Sequence, residues 1–203
     1  MPKHWPILLV ASLFAAIAGY ITYLFQPKSP VLLDTVQIQQ DIGGDFTLLR
    51  HDSMPVTSAD FHGHYLLIYF GFSYCPDLCP TSLLDMIHAI QGLPKEQQQK
   101  ILPILITLDP ERDTPEELSA YVADFDPRLV GLTGTLEQIR DIAQKYKVYF
   151  RKSGSEEDLR DGNYLIDHSS FLYLIKPDGA FGYAFNSRIS PETLQHNLEK
   201  IIL

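Results

Sequence analysis

The chain has 203 residues, enough for one domain with an appendage and too few for two full domains. Its 16 Lys and Arg stand against 25 Asp and Glu, a net charge of −9 with no basic stripe and no aromatic-interleaved Lys/Arg run, which argues against a nucleic-acid partner. A hydrophobic fraction of 45%, with 11 Phe and 11 Tyr, is ample for a core.

Residues 5–25 carry no charged side chain and are rich in Leu, Ile, Ala and Phe. About 20 such residues span a bilayer as a helix. Lys3 precedes the run, and Trp5, Tyr20 and Tyr23 lie near its ends, where amphipathic rings favour the interface. The expectation is a single-pass anchor over 1–26 with a cytoplasmic N-terminus. The rest then lies outside the cytoplasm, in a bacterial periplasm on the inner membrane. Ala16-Ile17-Ala18 also fits a signal-peptidase site, but cleavage there would leave an apolar, aromatic new terminus. Residues 27–42 read as a polar tether, and 43–203 as the folded domain.

Along that domain the periods alternate. Residues 45–50 form a short strand candidate. The continuous apolar run 65–70 predicts a central buried strand. Leu83, Leu84, Ile87 and Ile90 share one helical face after a start at Pro80. Residues 101–108 predict a second buried strand. Thr114-Pro115-Glu116-Glu117 opens a helix carrying Leu118, Tyr121, Val122 and Phe125. A short strand at 129–132 precedes a helix capped at Thr135, and 148–150 is a strand candidate. A charged loop is expected over 152–163. Residues 170–175 and 180–185, joined by Lys176-Pro177-Asp178-Gly179, make a hairpin, and Ser190-Pro191-Glu192 starts a last helix. This order predicts an α/β fold, a mixed sheet flanked by helices. A strand leading to two cysteines at a helix start, with a closing hairpin and helix, is the thioredoxin arrangement.

The two cysteines, Cys75 and Cys79, are the only ones in the chain. Three residues separate them, where a thioredoxin motif has two. The spacing leaves room for two thiolates to close on one soft ion as well as on each other. Each precedes a proline, which disfavours helical backbone, so the pair is expected in a loop with the helix starting at Pro80. The helix N-terminus favours thiolate, the form that binds metal and the form that attacks disulfides. A metal pair and a redox-active pair therefore both remain open. An inert disulfide is the weakest reading, because so short a loop restricts the unfolded chain little. A peroxidase would want Thr where Phe72 stands.

A third donor would favour metal, since two thiolates suit Cu(I) and an added imidazole supports Cu(II). His4 flanks the anchor, His196 and His88 lie on helices, His51 is in a loop, and His62 and His64 precede the central strand at the end remote from the cysteines. His168, just before the hairpin strand, is expected at the cysteine end. It reads equally as a ligand or as a satisfied surface side chain. Asp167 beside it is either an acceptor that orients the ring or a turn residue.

Several ordered motifs resemble one known family. They are Phe70-Gly71-Phe72-Ser73-Tyr74-Cys75-Pro76-Asp77-Leu78-Cys79-Pro80, Leu108-Asp109-Pro110-Glu111-Arg112-Asp113-Thr114-Pro115-Glu116, Gly131-Leu132-Thr133-Gly134, and Asp167-His168-Ser169 with Tyr173-Leu174-Ile175 and Pro177-Asp178-Gly179. The chain is similar to the SCO/SenC family of membrane-tethered copper chaperones. That resemblance implies a thioredoxin-like fold and copper, as Cu(I) or Cu(II), held by Cys75, Cys79 and His168. It implies a metallochaperone whose partner is the cytochrome c oxidase subunit with the binuclear copper centre. Delivery of copper to that centre and reduction of its cysteines, a thiol–disulfide oxidoreductase role for the Cys75/Cys79 pair, both stand as implied functions. Tyr74 departs from the family, where His often precedes the first cysteine. The 109–115 motif reads as structural.

Overall fold

A computed structural model describes residues 35–36 and 42–202. The expected anchor lies outside the described residues, and among those described no helix is long and apolar enough to cross a membrane. The first half contains β1 (Thr35–Val36), β2 (Thr47–Arg50), β3 (Pro55–Thr57), a 3-10 turn (Ser58–Phe61), β4 (Tyr65–Gly71), α1 (Leu78–Gln91), α2 (Lys95–Gln98) and β5 (Ile101–Thr107). There follow α3 (Pro115–Ala123), β6 (Val130–Thr133), α4 (Leu136–Lys145), β7 (Phe150–Ser153) and α5 (Glu156–Asp161). The chain closes with β8 (Leu165–His168), β9 (Phe171–Ile175), β10 (Phe181–Asn186) and α6 (Pro191–Ile201).

Eight strands form one sheet in the order β1-β10-β9-β4-β5-β6-β2-β3, and β7 with β8 forms a separate two-stranded sheet. The centre β4-β5-β6 is parallel, as crossover helices require, and the flanking pairs are antiparallel. Helices cover both faces of the centre. Tyr69 points to one face, towards Cys79 of α1. Phe70 points to the other, edge-on to Tyr173 and tilted against Tyr146 just past α4. A strand covered on both sides must be apolar throughout, and Leu67, Ile68, Tyr69 and Phe70 are all fully buried. This is the expected thioredoxin-like mixed sheet.

The caps read from sequence form as expected: Thr114, Thr135 and Ser190 accept backbone N–H bonds from Glu117, Gln138 and Thr193. Several features differ from expectation. The helix after the cysteines begins at Leu78, not Pro80. The loop expected over 152–163 contains α5, capped by a reciprocal Ser155–Asp158 pair and ended by Gly162 in the left-handed region. His168 ends a strand, β8, instead of lying in a loop. In addition, Thr35 and Val36, within the stretch expected as tether, pair with Phe185 and Ala184 at the sheet edge.

Helix α3 presses closely on β6. A Cβ built on Gly131 would stand 2.8 Å from Leu118 Cγ and 3.0 Å from Val122 Cγ1. Gly131→Ala should therefore force α3 off the strand and destabilise the fold by about 1–3 kcal/mol, the range of overpacked sites. A fall in urea midpoint at unchanged slope checks it.

Candidate metal centre

The cysteine loop leaves the C-terminal end of β4 through Gly71 and Phe72. A side chain on Gly71 would meet Tyr69 at 2.8 Å and Cys79 Sγ at 3.2 Å, so the position keeps the sulfur close over the strand end. Cys79 is the second residue of α1 and wholly buried; Cys75 lies before the helix and is half-buried. Both are free thiols.

The helix starts early for a local reason. Asp77 is the N-cap residue, but its side chain does not cap. The Cys79 N–H instead donates to Cys75 Sγ at 3.3 Å. A sulfur thus takes the first-turn amide that a capping oxygen usually takes. Pro80 at the third helical position costs nothing there, because that N–H would be unpaired in any case. The bias of a pre-proline residue against helix is overridden by this contact.

The two sulfurs are electrostatically unequal. The Cys75 pKa falls to about 5, first through the hydrogen bond from the Cys79 thiol, then through the backbone N–H groups of Cys79 and Asp77, with His168 contributing charge. The Cys79 pKa is pushed up, first because its proton is committed to Cys75 and then by burial. Tyr69, itself buried, donates its hydroxyl to Cys79 Sγ at 3.7 Å. At neutral pH the pair holds one thiolate, on the accessible sulfur, and one proton, on the buried one.

His168 completes the group. Its Nε2 lies 3.7 Å from Cys79 Sγ. Its Nδ1 lies 3.0 Å from the Ser169 carbonyl oxygen, which can only accept. Nδ1 therefore carries the proton, and in the neutral ring the Nε2 lone pair faces the sulfur. This is how imidazoles that bind metal are commonly oriented. Phe72 and Tyr69 hold the ring edge-on at 6.1 and 6.2 Å between centroids. Asp167 does not orient it: that carboxylate is exposed and pairs with Arg151 at 3.1 Å, on the opposite side of β8.

Among the described residues no three His, Cys, Asp or Glu side chains form a ready-made metal cage. The geometry is two contacts sharing Cys79, with Cys75 Sγ turned to the helix amide. The donor set nonetheless fits a soft ion. With metal bonds of about 2.3 Å to sulfur and 2.0 Å to nitrogen, two donors at a trigonal angle lie roughly 3.7 Å apart. The Cys79–His168 pair already has that separation. The other described histidines lie elsewhere. His88 and His196 are exposed on helices. His51 Nδ1 accepts from the Gly131 amide at 3.0 Å, and His62 lies against Gly179.

The 109–115 motif has a larger part than sequence reasoning assigned. Asp113 is fully buried, and its carboxylate accepts from the Ser73 amide at 3.1 Å, from the Ser73 hydroxyl and from Thr107 Oγ1 at 2.5 Å. Burial raises its pKa against these bonds. Thr133 Oγ1 donates to its carbonyl at 2.8 Å. One residue thus ties the cysteine loop to the end of β5 through its carboxylate and to the end of β6 through its main-chain carbonyl. The only sequence signal was an acid just past a buried strand.

Iodoacetamide should alkylate Cys75 with a rate that rises through a midpoint near pH 5 and is flat by pH 7, while Cys79 stays unmodified. Because the Cys79 thiol is the largest cause, Cys79→Ala should move that midpoint upward, towards the free-thiol value of about 8.5. Mass spectrometry of quenched time points reads both.

Comparison with known proteins matches this architecture. The SCO1/SenC family model covers residues 34–203. An SCO2-like protein of Rickettsia conorii is 39% identical over 196 residues, 95% of this chain and 94% of the relative. The crystal structure of Arabidopsis thaliana ScoI with copper bound superposes with a TM-score of 0.71 at 37% identity, covering 78% of this chain and 96% of that one. Bradyrhizobium japonicum ScoI with copper bound gives 0.70 at 37% identity, covering 80% and 99%. The chain belongs to the SCO1/SenC family.

Proposed function

We propose that this protein is a copper-binding metallochaperone in which Cys75, Cys79 and His168 hold one copper ion. The observation that carries the reading is the His168 ring, its proton fixed on Nδ1 by the Ser169 carbonyl and its Nε2 lone pair turned to Cys79 Sγ at 3.7 Å. Two thiolates suit Cu(I), and the imidazole extends the set to Cu(II). The copper-bound relatives from Arabidopsis thaliana and Bradyrhizobium japonicum support it. In this reading the client is the cytochrome c oxidase subunit that carries the binuclear copper centre. In the same reading residues 1–26 anchor the chain in the bacterial inner membrane, the tether runs from 27 to the edge strand that begins at Thr35, and the folded domain works in the periplasm.

A second reading rests on the inequality of the sulfurs. Cys75 as thiolate attacks a client disulfide and forms a mixed disulfide. The Cys79 thiol, losing its proton, then attacks Cys75, releases the client dithiol and leaves a Cys75–Cys79 disulfide. Two electrons pass to the client, which is a thiol–disulfide oxidoreductase role that prepares a copper site.

An anaerobic titration of the reduced intact chain separates them. The expected result is one tightly bound copper per chain, lost in Cys75→Ala and in Cys79→Ala. His168→Ala should weaken Cu(II) by at least the roughly 10–100-fold that loss of an outer-shell partner costs, with dithiol exchange intact. No tight copper in a chain whose cysteines cycle readily would establish the reductase instead.

A further inference from the structure

His168 rides on the β7–β8 hairpin, which forms its own two-stranded sheet outside the eight strands behind the cysteine loop. Beyond the chain's continuation from α4 into β7 and from β8 into β9, its place depends on side chains. One of these reaches both ligand-bearing segments. The Arg112 guanidinium carbon lies 4.7 Å from the ring centroid of Tyr74, which immediately precedes Cys75. It lies 3.9 Å from that of Tyr164, four residues before His168. Arg112 Nη1 donates to the Gly162 carbonyl at 3.0 Å, where α5 turns into β8. Buried Asp109 accepts from Arg112 Nε and, at 2.9 Å, from the Tyr164 hydroxyl, so it orients cation and ring together. Arg112 Nη2 is buried with no hydrogen-bond partner among the described residues. The cation is held there by one carboxylate, one carbonyl and two ring faces.

We propose that Arg112 is a positioning residue that keys the His168 hairpin to the cysteine loop and so sets the site's preference for Cu(II) over Cu(I); the inference rests on the copper reading above. Cu(I), a soft ion, takes the larger part of its binding from the two thiolates, which the loop and α1 supply without the hairpin. Cu(II) draws on the imidazole as well. A loosened hairpin therefore weakens the third bond and leaves the first two. Lysine cannot replace Arg112, because an ammonium lacks the planar fork that meets Asp109 and Gly162 while lying over aromatic rings.

The test uses the intact chain with Cu(I) and Cu(II) as probes. Arg112→Lys should lower Cu(II) affinity about 10–100-fold, the range for loss of an outer-shell partner, and lower Cu(I) affinity, read by anaerobic competition, by a clearly smaller factor. In a His168→Ala background Arg112→Lys should have no further effect, since it acts through that ring. Tyr74→Leu removes an exposed ring that folding does not need and should move the same ratio in the same direction. Equal losses for both ions, or additive losses in the double variant, would overturn the proposal. Amide exchange of the copper-free chain gives a second reading. Arg112→Lys should speed exchange over 150–168 and leave β4 and β5 protected; unchanged exchange in the hairpin sinks the clamp. A parent chain that binds neither ion refutes the copper reading, and the exchange result then decides alone whether Arg112 keys hairpin to loop.

Discussion

The arrangement of the site depends on a buried carboxylate. Asp113 sits at the far end of a loop from β5, yet its oxygens gather the amide and hydroxyl of Ser73, forty residues earlier in the chain. The loop that carries Cys75 therefore cannot move independently of the ends of β5 and β6. A buried acid of this kind is tolerable only because its acceptor capacity is filled: two hydroxyls and one amide converge on it. Everything nearer the sulfurs inherits that fixed point, including the early start of α1 and the sulfur that accepts its first-turn amide.

Around this point three segments from distant parts of the chain meet: the loop after β4, the loop after β5, and the β7–β8 hairpin. The first two are fastened by parallel register, Gly71 opposite Thr107, so that their C-terminal ends open on the same side. Ligands of open α/β sheets gather at that edge. The third is fastened by side chains, with Tyr164 and Ile166 in the core and ionic contacts such as Lys152–Glu111 at 2.7 Å outside it. The site is thus rigid on its sulfur side and dependent on packing on its imidazole side.

Much of this was legible in the sequence because the relevant signals are local. The apolar run of β4 announces a strand covered on both faces. Thr114, Thr135 and Ser190 announce helix starts, and the two cysteines announce themselves by number and spacing. What was not legible is either non-local or carried by backbone. Helix α5 buries no side chain, so no apolar period marks it, and only its Ser155–Asp158 cap could have been read. The start of α1 was misplaced because a proline rule weighs the backbone alone and cannot see a sulfur accepting an amide. Asp113 finds Ser73 only once the β4–β5 register is set. The acceptor that fixes the His168 tautomer is the Ser169 carbonyl, a group every residue possesses, while the more conspicuous Asp167 turns away to Arg151.

The unequal burial of the two sulfurs imposes an order on any exchange. A soft ion or a partner thiolate arriving from solvent meets Cys75 first, since Cys79 presents no surface. Arrival proceeds outside-in: one bond to the open sulfur, then inward closure on Cys79. Departure reverses the sequence, with the inner bond released before the outer. First contact and last contact are each with a single sulfur of this chain, so both acquisition and hand-over pass through a singly bridged state. A reagent that must engage both sulfurs of the protein in one encounter has no face from which to grip them.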